Sequence, residues 1–454
     1  MGQNKIEFPE GFLWGTATAG HQIEGHNDKS DWWKFEQEGK ILDGTKTGKN
    51  VDYWNRYEED HDLMVRLGCQ SFRLGIEWAK IEPEDGKFDM KAVEHYRKIL
   101  QSLRDHKLKI CLTIYHWVLP LWFAEKGGWE SPEAVDRFVK FAEVVAKELG
   151  EFPDLWVTLN EPSVPATAGY LVGLFPPEKK SFPAYCRVTN RLLHAHVRTY
   201  EMIHNAVPKA PGGGPTLAGV AWAYQWIEPF GTPGPAGLYE KFMARIFRAG
   251  SYKSWDRAIV TGRIPFPYGT GNARIPKDTY DYCGVNYYTR MSLKFDRRKK
   301  DQALLDIEAI PPGIEKTQMG WQVYPPGFYK ILMYVWKTFK KPIYITENGI
   351  ADDTDEMRPS YLLTHIAQVH KAVSDGADVR GYFQWSYIDN FEWKEGFRKR
   401  FGLVACDHTD PELKRAPRPS AHMYSEIIRE NGITDEIVEK YAPGAQSRFI
   451  SSDF

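Results

Sequence analysis

Short apolar runs recur along the chain, separated by longer stretches in which apolar side chains return every three or four positions. The short runs have the length and the bounding turn residues of buried strands, and the longer stretches have the repeat of a helix with one apolar face. Strands are predicted near residues 12–16, 71–76, 109–113, 155–159, 217–221, 282–285, 342–345 and 381–385, with helices at 57–67, 90–106, 133–149, 182–205 and 359–375. Alternation of strand and helix marks an α/β fold with a parallel sheet. Eight strands fit a single (β/α)8 barrel over residues 1–454, with elaborated βα loops and functional residues where the carboxyl ends of the strands meet. No Ser/Gly-rich or charged linker divides the chain. The Pro/Gly-rich stretch 208–215 reads as a loop; its glycines could cradle a phosphate, but a strand follows where that would need a helix.

Two of the strand-like runs end on a glutamate followed by a chain breaker: Leu155-Trp156-Val157-Thr158-Leu159-Asn160-Glu161-Pro162 and Pro342-Ile343-Tyr344-Ile345-Thr346-Glu347-Asn348-Gly349. A residue before proline avoids helical space, so Glu161 is expected extended at its strand tip, while the Asn348-Gly349 turn leaves Glu347 at a rim. Asn160 and Asn348 each offer the neighbouring acid an uncharged amide donor. Either motif alone could be a strand-end acid in a salt bridge. Together, two carboxylates on separate strand ends are the minimal equipment for cleaving a glycosidic bond, and a retaining mechanism needs one ionised and the other protonated. Arg73 sits inside an apolar strand, where a permanent charge needs a carboxylate partner. Glu347 is the candidate, with Glu77 or an aspartate as the structural alternative.

Composition narrows the partners. Lys+Arg 59 against Asp+Glu 60 leaves a formal charge of -1, which gives no global field for nucleic acid or an anionic membrane. The five cysteines are odd in number and lack a CxxC pair, against both a disulfide framework and a zinc site. With no apolar core of signal-peptide length at the start and no membrane-length apolar stretch, a cytoplasmic protein is expected. The aromatic content is high, and His116-Trp117, Tyr287-Tyr288, Trp321, Trp385 and Trp393 stand out from the core because sugar rings are held by aromatic platforms and paired polar groups. His194 and His196, two apart on a helix, diverge and cannot share a metal. The basic run 294–300 reads as a solvated loop face.

With these residues in view, the chain resembles glycoside hydrolase family 1, the retaining β-glucosidase and β-galactosidase family, over nearly its whole length. The resemblance opens at Phe8-Pro9-Glu10-Gly11-Phe12-Leu13-Trp14-Gly15-Thr16-Ala17-Thr18-Ala19 and passes through the arginine strand and both glutamate motifs. It closes with Trp385-Ser386-Tyr387-Ile388-Asp389-Asn390-Phe391-Glu392-Trp393 and Lys399-Arg400-Phe401-Gly402-Leu403. It implies that Glu161 is the acid/base and Glu347 the nucleophile, supported by Arg73, Asn286 and Tyr288. It implies that Gln22, His116, Trp117, Asn160, Trp385, Glu392, Trp393 and Phe401 surround the sugar, that Trp321 lines the leaving-group side, and that a cis peptide follows Trp385. Plant thioglucosidases replace the acid/base glutamate with glutamine, and 6-phosphoglycosidases lose the glutamate matching Glu392. Both glutamates stand here, so O-glycosides of unphosphorylated sugars are expected. His21, Gly75, residues 404–408 and the loop 174–183 depart from the family's usual letters and bear on the leaving-group side.

The expected function is an exo-acting β-glycosidase that removes terminal β-glucosyl, and also β-galactosyl or β-fucosyl, groups from small glycosides and short oligosaccharides. No metal or cofactor, nucleic acid or membrane is expected to take part. A non-catalytic carbohydrate-binding relative and a mainly transglycosylating enzyme are the alternatives.

Overall fold

The computed structural model describes residues 5–269 and 273–445. Eight strands form the barrel: β1 (Leu13–Ala17), β2 (Ser71–Gly75), β3 (Lys109–Thr113), β4 (Leu155–Asn160), β5 (Ala218–Pro229), β6 (Tyr282–Phe295), β7 (Ile343–Asn348) and β8 (Val379–Trp385). Each pairs in parallel with its neighbours in sequence, and the β8 to β1 pairing closes the ring. Helices cover the outside in chain order: α1 (Tyr53–Arg66), α2 (Met90–Asp105), α3 (Ala134–Leu149), α4 (Phe182–Ala206), α5 (Pro235–Arg248), α6 (Ser254–Thr261), α7 (Pro325–Phe339), α8 (Arg358–Ser374) and α9 (Pro419–Glu430).

The packing follows from the strand pattern. Side chains pointing outward from the strands meet the apolar faces of the helices in one continuous core. Those pointing inward, among them Cys111, Leu155, Val157, Tyr282, Tyr344 and Phe383, fill the barrel as a second cluster. This inner filling leaves the carboxyl ends of the strands as the place where polar side chains collect. At the opposite end, residues 209 and 215 bridge across the Gly-rich loop, which lines a cavity with Leu155, Leu217 and Tyr344, far from both glutamates.

Two expectations need correction. The strand expected at 217–221 extends to Pro229, and the one at 282–285 extends to Phe295. Beyond the barrel rim β5 and β6 continue as a paired ribbon, with Trp226 opposite Arg290 and Pro229 opposite Leu293. There half-buried residues interrupt the buried ones, so no continuous apolar run forms. Helices α5, α6, α7 and α9 were also absent from the expected set. In α7, large apolar side chains stand on both the buried and the half-exposed sides and hide the helical repeat.

Candidate active site

Arg73, in the middle of β2, is completely buried and reaches across the barrel to three other strands. Its Nη1 donates to Glu347 Oε1 at 2.6 Å and to the Thr346 carbonyl at 3.1 Å, its Nη2 to Asn160 Oδ1 at 2.6 Å, and its Nε to Thr113 Oγ1 at 3.1 Å. An always-charged side chain without water is tolerable only when its donors are met in this way. Glu347, not Glu77, is therefore the partner; Glu77 is instead held by the His21 backbone N–H and the Asn27 amide.

Glu347 is the penultimate residue of β7 and is 3 % exposed. Its second oxygen accepts from Tyr288 Oη at 2.6 Å. Burial raises its carboxyl from the ordinary value, opposed first by the Arg73 charge and then by the Tyr288 hydroxyl. Among the described residues no cation pairs with Glu161. Asn286 Nδ2 donates to Glu161 Oε1 at 3.0 Å, and burial followed by repulsion from Glu347 pushes its carboxyl up to about 8. Asn286 Nδ2 also donates to Asn160 Oδ1 at 3.1 Å, the atom that accepts from Arg73, so a chain of hydrogen bonds runs from Glu161 through Asn286, Asn160 and Arg73 to Glu347. Thr346 orients that amide by donating from Oγ1 to Asn286 Oδ1 at 2.6 Å. This shared set of hydrogen bonds brings the two acids into one site, as a retaining pair requires.

The local backbone differs from the expectation for Glu161. It is not extended: its φ is +44°, in the left-handed region that side chains seldom adopt. The Glu161 N–H donates to the Ala221 carbonyl of β5 at 2.7 Å, and the Asn286 amide holds the carboxyl, so tertiary bonds override the local preference. Such residues cluster at functional sites. The neighbouring amides also act otherwise than expected. Asn348 Nδ2 donates to the Tyr361 hydroxyl and to the Tyr287 carbonyl, and its Oδ1 accepts from Tyr382, because successive residues in a strand face opposite sides. The amide donor that serves Glu161 comes from Asn286 on β6.

Beside the acids lies a set of polar groups with spare capacity. Asn160 Oδ1 accepts from Arg73 and from Asn286, at 2.6 and 3.1 Å, which leaves its Nδ2 to donate to His116 Nε2 at 3.1 Å. His116 is kept neutral by burial and by the nearby Arg73 charge. Its proton then belongs on Nδ1, which has no partner among the described residues. Gln22 Nε2 donates to Asn390 Oδ1, the Phe391 carbonyl and Glu392 Oε2, at 3.0, 2.9 and 3.3 Å, while its Oε1 is likewise buried and unpartnered. Burial and the Glu347 charge push Glu392 up to about 8.

Aromatic rings gather in two groups. His116 stacks with Trp385 and Trp393 at 5.9 and 5.8 Å, and Trp117 meets Trp393 at 4.7 Å. Tyr288, Trp321 and Phe401 form the other group, with centroids 5.6 to 6.2 Å apart. The Trp385–Ser386 peptide is cis, as the resemblance implies. The site residues named from the sequence thus fall into one connected region, except Tyr287, which, next to Tyr288 on β6, faces the opposite way and stacks on Phe328 in the outer core. Thr113, Thr346 and Asn390, which hold Arg73, Asn286 and Gln22, were not foreseen; Thr113 and Thr346 stand at the carboxyl ends of β3 and β7, and that position was their one signal. His21 is buried, bonded to Glu36 and Asn27 at 3.0 and 3.1 Å, and lies parallel to Trp393 at 6.0 Å. In the loop 174–183, Phe175 packs on Trp32 and Trp117 beside a cis Pro176–Pro177 bond. His196 bonds Thr158, a structural role. No group of three or more His, Cys, Asp or Glu arranged to hold a metal occurs among the described residues.

Similarity to known proteins extends along almost all of the chain. β-Glucosidase A of Thermotoga maritima is 33% identical over 459 residues, spanning 95% of this chain and all of the relative. A β-galactosidase of Saccharolobus solfataricus is 32% identical, covering 95% of this chain and 96% of its own length. The solved structure of a β-glycosidase from Pyrococcus horikoshii superimposes with a TM-score of 0.87 at 37% identity, covering 96% of this chain and 98% of that one. The model of Glycosyl hydrolase family 1 matches residues 4–433. With two buried acids linked through Arg73, Asn160 and Asn286 inside a closed eight-stranded barrel, the chain belongs to glycosyl hydrolase family 1.

Proposed function

We propose that this glycoside hydrolase is an exo-acting, retaining β-glycosidase in which Glu347 is the nucleophile and Glu161 the acid/base. The observation that carries the assignment is the unequal surroundings of two like side chains. Arg73 and Tyr288 favour the charged form of Glu347, and the charge they sustain there helps keep the proton on Glu161. Glu347 attacks the anomeric carbon while Glu161 gives its proton to the departing oxygen; the ionised Glu161 then takes a proton from water, which releases the sugar with its configuration retained.

The unpartnered His116 Nδ1–H and Gln22 Oε1 supply a donor and an acceptor for hydroxyls of the terminal sugar, with Glu392 beside Gln22. These groups can meet a 4-hydroxyl in either orientation, which supports action on both β-glucosides and β-galactosides, as the names of the two relatives do. Glu392, charged in part near neutrality, disfavours a 6-phosphate. Five buried, unpaired cysteines support a reducing, cytoplasmic setting, and no helix among the described residues is long and apolar enough to cross a membrane.

Replacing Glu347 by alanine tests the assignment. Turnover of an aryl β-glucoside is expected to fall by about 10⁴-fold or more, and added azide, entering the vacated space, should restore activity with an α-glycosyl azide as product. Retention of most activity would refute the nucleophile.

A further inference from the structure

A surface helix ordinarily turns its apolar stripe inward and its polar face to solvent. Helix α5 also shows an apolar stripe on the outside. Gly237, Glu240 and Ala244 are buried, Glu240 accepting the backbone N–H groups of Gly231, Thr232 and Phe295. On the outer side Leu238, Phe242 and Ile246, spaced four apart, are 67, 57 and 47 % exposed. Lys241 and Arg245 are exposed among them. Eight of the eleven exposed large apolar side chains among the described residues fall between residues 172 and 307, in the connections after β4, β5 and β6. The apolar excess is therefore concentrated in these connections instead of being scattered singly, as on an ordinary surface.

The basic run 294–300 borders this helix. Tyr239 of α5 donates to the Ala303 carbonyl at 2.7 Å, and its ring meets Phe295 edge-on at 5.8 Å. Lys294, Arg297, Arg298 and Lys300 are exposed, with Arg298 paired to Asp296 and Lys294 lying over the Phe230 ring. Apolar side chains interleaved with cations and bordered by more cations are the chemistry of a helix that lies in the headgroup layer of an anionic bilayer. We propose that α5 and the basic segment form a docking surface for an anionic lipid membrane and hold the enzyme there peripherally. A second copy of the chain fits this face less well, because a two-fold contact would bring each basic segment toward its own image. The net charge of -1, the ground for expecting no membrane partner, is blind to a patch of this kind.

Sedimentation of the full chain with vesicles of phosphatidylcholine, with and without phosphatidylglycerol, tests the surface. Binding is expected only with phosphatidylglycerol and should weaken as salt is raised. It should fall about tenfold or more both in the triple variant Leu238→Ser, Phe242→Ser, Ile246→Ser and in the pair Arg297→Glu, Lys300→Glu. Hydrolysis of a soluble aryl β-glucoside and the melting temperature should be unchanged in both, which reports intact folding. No binding to anionic vesicles, wild-type binding in either variant, or a dimer in sedimentation velocity that the triple variant abolishes would overturn the proposal. Vesicle binding is read independently of catalysis, so failure of the glycosidase assignment would leave this result standing.

Discussion

Glu161 and Glu347 are chemically identical, and only their neighbours set them apart. The same neighbours give folding a pH dependence. Glu161 has an ordinary value of 4.5 and is pushed up to about 8 in the fold. Between these values the folded protein holds a proton that the unfolded chain has released, so its contribution to stability is full below 4.5 and is lost as pH rises toward 8. Glu161→Gln keeps the shape and an acceptor for Asn286 while removing the titration. Its melting temperature should exceed that of the wild type by on the order of a few degrees near pH 8 and match it near pH 4; equal melting at both would show that the carboxyl carries no such cost. In kinetics, the wild-type kcat/KM should decline above about pH 8 as Glu161 loses its proton. On an activated substrate whose leaving group needs no protonation, the Glu161→Gln variant should lack that limb in its glycosylation step.

At the scale of elements, the site depends on strand ends held at close quarters. An added Cβ at Gly349, just past β7, would lie 1.7 Å from the Trp385 carbonyl oxygen at the end of β8. At Gly75, at the end of β2, the nearest atom would be the Gly20 nitrogen at 3.3 Å. Gly349→Ala should therefore force β7 and β8 apart, lowering both the melting temperature and kcat/KM, while Gly75→Ala should cost about 1 kcal/mol or less; calorimetry and kinetics on the pair distinguish the two. The central strands and the long helices α2, α3, α4 and α8 were legible because their apolar repeat matches their burial. Helix α5 was not, since an exposed stripe of Leu238, Phe242 and Ile246 opposite the buried face blurs the period. The candidate site was legible in its residue types at strand ends. The left-handed turn at Glu161 and the Asn286 bond to its carboxyl were not, because both arise from bonds to β5 and β6, distant in sequence.

Over the whole molecule, the ends of the described chain are tied together away from the chemistry. Lys5–Glu7 pairs antiparallel with Gly432–Thr434. Asn431, with φ +47°, accepts from Trp14 Nε1 at 2.9 Å and donates to the Phe8 carbonyl at 2.7 Å. Asn431→Ala removes both bonds and places an unfavourable residue in the left-handed region, at a cost of about 2–3 kcal/mol. The melting temperature should drop, while kcat and KM at moderate temperature remain those of the wild type; a changed KM would show that this clamp reaches the active site.

The linear order of residues by itself determined the alternation of strand and helix, the delivery of two glutamates to strand ends, and a buried arginine in need of a carboxylate, since each follows from local pattern and the cost of burying charge. Tertiary structure alone decided which carboxylate Arg73 neutralises, and therefore which acid keeps its proton. That choice depends on distances across the barrel, between strands separated by hundreds of residues in the chain, and on the exclusion of water that makes those distances count.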